Sequence, residues 1–198
     1  EQARWWALSA KPITASDGTA SGAWRGVIAD VTEAQRFENQ LRMQAEQDAL
    51  TGLANRRALM NAAQAAMSLG HAGWLLSIDL DHFKVVNDSS GHSAGDEVLR
   101  VVAGRLMALA DDGDLVGRLG GDEFAMLRLG DSPRLAPQAM ATLIIDRLSE
   151  PIEVGPKRLH VGASVGLARL DASTANVEDL MVNADLALYD AKRSGRGR

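Results

Sequence analysis

Residues 114–130 read DLVGRLGGDEFAMLRLG, and the fold turns on how they are parsed. Two apolar runs, 114–119 and 123–130, flank Gly120-Gly121-Asp122, where bare backbone lets the chain reverse in a tight hairpin. Around this pair the pattern alternates. Helical spacing over 55–69 is followed by a strand at 73–80 (GWLLSIDL) and helices near 82–89 and 93–110. Beyond the hairpin come a helix at 135–149, a strand at 158–168 (RLHVGASVGLA) and a helix at 176–193. Continuously apolar strands separated by helices indicate an α/β (α+β) domain with helices covering a sheet. The hairpin makes that sheet mixed.

Upstream of residue 50 the style changes. Residues 3–11 and 22–31 read as strands joined by a Ser/Asp/Gly/Thr turn stretch at 14–22, and four of the eight aromatics lie in the first 37 residues. Two strands alone are marginal, so they read as the end of a larger sheet. Asp30-Val31-Thr32-Glu33 opens a helix reaching about Asp48, with Thr32 as its cap and Gln35 in capping-box position. Ala34, Phe37, Leu41 and Ala45 form one narrow stripe on it. The stripe suits either a short coiled-coil seam or a linker helix resting on its own domain.

The 198 residues contain no cysteine, which excludes disulfides, thiolate zinc sites and a cysteine nucleophile and fits a reducing cytoplasm. No 18-residue apolar run offers a membrane span or membrane contact, although a membrane-anchored sensor could precede this segment. The net charge of −5 argues against a nucleic-acid polymer as partner. Its distribution says more. Residues 1–190 carry −9 (17 basic against 26 acidic side chains), whereas the last eight carry +4 from Lys192, Arg193, Arg196 and Arg198. A basic tip on an acidic body suits a local phosphate contact or an ordinary solvated terminus.

Three places carry candidate chemistry. At the end of the 73–80 strand, Asp79 sits inside an apolar run and needs a partner; a hard divalent cation would serve. Asp81 reads mainly as the N-cap of the next helix. In the hairpin, Gly120 and Gly121 would let a phosphate or ribose approach, and Asp122 and Glu123 could hold Mg²⁺. Asn87 and Asp96 lie across a Gly-containing loop. An amide plus a carboxylate can read guanine, although Asp96 could instead cap a helix over 97–110.

Five blocks occur in order: Asp48-Ala-Leu-Thr-Gly-Leu-Ala-Asn55-Arg56-Arg57, Asp79-Leu-Asp-His-Phe-Lys84-Val-Val-Asn87-Asp, Gly91-His92 with Gly95-Asp96, Arg118-Leu-Gly-Gly-Asp-Glu-Phe124, and Ala191-Lys192-Arg-Ser-Gly195-Arg196. In this register, residues 48–198 resemble the diguanylate cyclase (GGDEF domain) family. Residues 1–31 resemble the C-terminal end of a PAS sensor domain. The resemblance implies three parts: a PAS-like fragment over 1–31, a signalling linker helix over 32–48 and a cyclase domain over 49–198 with a β-hairpin active site.

It further implies condensation of two GTP into cyclic di-GMP and two pyrophosphates in a homodimer regulated from upstream. Asp79, the Leu80 carbonyl and Asp122 would hold Mg²⁺, with Mn²⁺ an allowed substitute. Glu123 would be either a further ligand or an aid to proton removal, so Asp122 and Glu123 are the catalytic pair. Asn87 and Asp96 would read guanine beside Leu99, favouring GTP over ATP. His82 and Phe83 would offer N–H groups and Lys84 a charge to the phosphates, with Lys192 and Arg196 as the clamp. Arg193 and Arg198 match nothing. Many members also carry Arg-x-x-Asp upstream as a product-binding inhibitory site. Here Asp111 replaces the arginine and Asp114 remains, so feedback through that site is expected to be lost. The alternative function is a non-catalytic module that binds GTP or dimerises and regulates an attached phosphodiesterase (EAL) domain.

Overall fold

The computed structural model describes residues 4–14, 20–130 and 135–198, without the side chains of 14, 20–21 and 38–44. The chain divides into two compact units, Glu1–Ala45 and Glu46–Arg198.

In the first unit, β1 (Trp6–Thr14) and β2 (Ala20–Asp30) pair antiparallel. Residue 3 and most of the expected turn, 15–19, lie outside the described residues. The register puts Trp6, Leu8 and Pro12 on one face with Ile28 and Trp24, and these side chains face solvent; Leu8 is 72% exposed. Helix α1 (Thr32–Glu46) follows. Its cap is not the expected Thr32. Thr32 is itself the first helical residue: its N–H donates to Asp30 Oδ1 at 2.9 Å, and its hydroxyl accepts from the Trp5 N–H at 2.9 Å. On the expected stripe, Ala34 and Phe37 are exposed, and the Leu41 side chain is outside the described residues.

The second unit runs β3 (Ala54–Asn55), α2 (Arg56–Ser68), β4 (Gly73–Asp81), α3 (Phe83–Ser90), α4 (His92–Leu109), β5 (Leu115–Gly120), β6 (Glu123–Leu129), α5 (Pro137–Ser149), β7 (Ile152–Val154), β8 (Lys157–Leu159), β9 (Gly162–Leu170) and α6 (Val177–Arg193). One sheet takes the order β3-β5-β6-β4-β9. β3 and β5 are parallel and every other pair is antiparallel, so the fold is mixed α+β with a central sheet flanked by helices.

Both faces of the sheet are covered, which is why its strands are continuously apolar. Leu76, Ile78 and Leu80 of β4 join Val98, Val102, Leu106, Ile144 and Leu148 in one core. The odd positions face α6. Leu75 packs with Leu180 and Ala184, and the Ser77 hydroxyl donates to Asp185 at 3.1 Å. Continuing along that face come Asp79 and Asp81, since strand side chains repeat every second residue. At Gly166 of β9 an added Cβ would collide with the α6 backbone at Ala184 and Leu188, so α6 lies directly on the sheet.

The single strand expected over 158–168 is split. Lys157–Leu159 folds back on Ile152–Val154 around Gly155-Pro156, with Gly155 at φ +57°, and β9 begins only at Gly162. β3 and β7 were not anticipated because neither exceeds three residues. Among the described residues, no helix is long and apolar enough to cross a membrane.

Candidate active site

The site forms where β4 ends beside the β5–β6 turn. The Leu80 N–H donates to the Asp122 carbonyl at 3.2 Å, and Asp79 stands opposite Glu123 in the register. Asp79, Leu80, Asp122 and Glu123 are therefore neighbours despite more than 40 intervening residues. Gly120 (φ +142°) and Gly121 (φ +52°) make the turn, with a register shift between Arg118 and Gly120. Nothing crowds either glycine, so backbone is open there.

Arg118 holds the turn. Its Nε and Nη2 donate to the Gly121 carbonyl at 3.0 and 2.8 Å, while Nη1 reaches the Asp48 carboxylate at 3.0 Å. Burial would raise the Asp48 carboxyl, but hydrogen bonds from Thr51 and Arg118 outweigh it and hold the group below its ordinary 3.8. On the outer side, Arg56 lies 3.5 Å from Glu123, both half exposed.

The Lys192 ammonium sits 2.7 Å from Asp79 Oδ2. Burial pushes the Asp79 carboxyl above its ordinary 3.8; Lys192 pulls it down, and the charges of Asp122 and Asp81 add to the rise. Arg196 Nε lies 3.7 Å from Asp81. The two cations expected to clamp phosphate are thus parked on the two carboxylates at the β4 end. His82 links β4 to α3 at φ +63°, a conformation non-glycine residues rarely adopt. It stands exposed at the α3 N-terminus with Lys84, whereas Phe83 is buried. Asp81 does not cap α3: His82 holds the N-cap position, with no side-chain cap bond.

Asn87 on α3 and Asp96 and Leu99 on α4 form the next corner. Asp96 is exposed in the second turn of α4, which begins at His92, so helix capping is not its role. Leu99 is only 3% exposed and belongs to the core beneath. Between them Gly95 leaves room for the Asn87 side chain, because a Cβ there would push on the Asn87 side-chain oxygen and crowd the Phe83 ring. Asp111 and Asp114 are elsewhere. Arg128 bonds to both, at 3.0 and 3.2 Å, and to the Leu135 carbonyl at 3.3 Å.

Sequence reasoning passed over the roles of Asp48, Arg118, Gly95 and Ser164. A sharper signal was available in β4, where positions 77, 79 and 81 are polar on one face of an otherwise apolar strand.

The family model described as Diguanylate cyclase, GGDEF domain matches residues 45–198, and the chain belongs to that family. It is 40% identical over 195 residues to the probable diguanylate cyclase DgcE of Escherichia coli, covering 96% of this chain and 18% of that protein. It is 36% identical to the cyclic di-GMP phosphodiesterase PdeR of the same organism, covering 85% and 26%. Among solved structures, the coiled coil and GGDEF domain of DgcB from Caulobacter crescentus in complex with c-di-GMP superposes with a TM-score of 0.73 at 32% identity, covering 85% of this chain and 91% of that one. The chain therefore spans about a fifth to a quarter of the length of these two E. coli relatives.

Proposed function

We propose that this chain is an active cyclase that joins two GTP molecules, one on each protomer of a homodimer, into cyclic di-GMP. The observation that carries this is the intact pair Asp79 and Asp122, brought together by the Leu80–Asp122 backbone bond with the Lys192 ammonium already beside Asp79. Among the described residues, no three His, Asp or Glu side chains gather into an all-protein metal cage. Two carboxylates and the Leu80 carbonyl are what Mg²⁺ uses when phosphates and water complete its shell. An ammonium on Asp79 supports the same fit, since the position favours a cation. When bound, the metal would polarise the α-phosphate and lower the pKa of the attacking 3′-hydroxyl.

The chain's own groups do the rest. Lys192, Arg196, Lys84 and the N–H groups of His82 and Phe83 take the polyphosphate; Asn87 and Asp96 take the guanine edge. In each of two condensations the 3′-oxygen bonds to the α-phosphorus of the other nucleotide. The α–β bridging bond breaks, and pyrophosphate leaves with its electron pair. The hydroxyl proton passes to Glu123 or to water. One protomer holds one GTP and cannot close the ring, so a second copy is required. The PAS-like fragment and linker helix would regulate that pairing.

Incubation with GTP and Mg²⁺, resolved by chromatography, should yield cyclic di-GMP and pyrophosphate in the ratio 1:2 expected from the reaction. GTP bound but never converted would favour the non-catalytic module. Gly95→Ala should displace Asn87 and weaken GTP binding about tenfold, one lost base contact being worth ~1–3 kcal/mol. ATP binding should change far less, as competition titrations would show.

A further inference from the structure

Asp81 is 5% exposed, lies two residues beyond Asp79 on the same face of β4, and has no part in the metal or base contacts above. A buried carboxylate is costly unless its lone pairs are filled. The Ser164 hydroxyl on β9, fully buried, donates from 2.9 and 3.1 Å to its two oxygens. The remaining partners come from the far end of the sequence. The Gly197 N–H donates to Oδ2 at 3.2 Å, and Arg196 Nε lies 3.7 Å from Oδ1. Alongside, the Val165 N–H donates to the Arg198 carbonyl at 2.9 Å, stitching the tail to β9.

To arrive there the chain leaves α6 through Gly195, Arg196 and Gly197 at φ +115°, +61° and +61°. For Arg196 this left-handed conformation is strained and persists only where the surroundings impose it. The imposed arrangement leaves the Arg196 side chain 51% exposed, so one edge meets Asp81 while the rest faces outward. It also follows directly on the α6 turn that carries Lys192.

We propose that Asp81 is a positioning residue. It anchors the tail through Gly197 and Arg196 so that Arg196 and Lys192 are held ready for the polyphosphate. The part concerning nucleotide rests on the GTP reading above; the anchoring itself does not. Without this anchor the segment after α6 would sample other conformations, and ordering it would be charged against each binding event. The contrast with Asp79 is one of accessibility. The Asp79–Lys192 pair is 13% and 33% exposed and can be exchanged for a metal and a phosphate, whereas Asp81 is sealed by Ser164 and stays with Arg196.

The test is Asp81→Asn, which keeps the shape and removes the charge. The KM for GTP should rise about tenfold with kcat nearly unchanged, two loosened cationic side chains being worth ~1–1.5 kcal/mol. Hydrogen exchange at the Val165 amide should accelerate while that of Leu127, in the sheet centre, stays as it was. Gly197→Ala supplies a second variant without touching Asp81. A Cβ there meets nothing, so the change acts only on the left-handed backbone and should speed Val165 exchange about fivefold, for ~1 kcal/mol. If the wild-type protein binds no GTP, the functional reading fails while the exchange measurement still decides the anchor. Val165 exchange unchanged in both variants would overturn the proposal. So would acceleration spread evenly through the sheet, which is what general destabilisation produces.

Discussion

Arg118 and Arg128 stand on the two strands of one hairpin, and each holds aspartate, yet the two ends of the hairpin behave as different materials. At the open end Arg128 is 3% exposed and Asp114 5%, with Asp111 and the Leu135 carbonyl completing the shell. At the turn end Arg118 fixes Gly121 and Asp48, but beyond it the charges stay accessible. Lys192 is a third exposed, and Arg56 and Glu123 are half exposed. Sealed ion pairs lock a structure, because breaking one leaves a buried charge. Half-open pairs are held loosely enough to be traded for a ligand's charges.

Four measurements would break or sharpen this contrast. The largest effect should come from Asp79→Asn, which lowers cyclase turnover about a thousandfold by removing charge beside the reacting phosphate. Its stability should not fall. Burial raises the folded-state pKa of Asp79, so its favourable contribution exists below the ordinary 3.8 and is lost as pH rises through the folded value. Calorimetry of the ligand-free protein should then find the variant's Tm equal to or above the wild type's at pH 7, the gap closing in acid. A clearly lower Tm at pH 7 would make the turn end a structural site like the other.

Arg128→Met should do the reverse. Leaving Asp114 buried without its partner costs about 3–5 kcal/mol in urea unfolding, with turnover per folded molecule unchanged. A loss of turnover without loss of stability would erase the distinction.

Asp48→Asn belongs between the two and should destabilise by about 1–2 kcal/mol, since Asp48 accepts from Thr51 and Arg118 together. Because the Asp48 pKa is depressed, its contribution is present above 3.8 and disappears as pH falls through the folded value. The wild-type advantage should therefore shrink in acid, opposite to the Asp79 pattern.

The smallest effect is an absence. Asp111 and Asp114 are committed to Arg128, so micromolar cyclic di-GMP should leave the steady-state rate unchanged. Inhibition relieved by Asp114→Ala would mean that the sealed end opens.

Much of the molecule was legible in the chain. Apolar runs marked β4, β5, β6 and β9, and the two glycines marked the hairpin, because local spacing and backbone freedom are properties of neighbouring residues. Short pieces escaped: β3 owes its conformation to β5, far along the chain, while the β7–β8 hairpin is local but its three-residue strands leave no period to read. Thr32 and Asp81 were both misread as caps for one reason. Each is a good cap by local chemistry, and each was claimed by a distant partner, Trp5 in one case and Ser164 with Gly197 in the other.

By itself, then, the sequence determined which carboxylates, amides and cations exist and on which strand or helix each would lie. It determined the family too, since five motifs in register do not depend on geometry. Only the tertiary structure decided how the charges pair: Lys192 with Asp79, Arg196 with Asp81, Arg118 with Asp48, Arg128 with Asp111 and Asp114. Pairing depends on separation and burial. Both are set by a sheet order, β3-β5-β6-β4-β9, that brings together strands far apart along the chain.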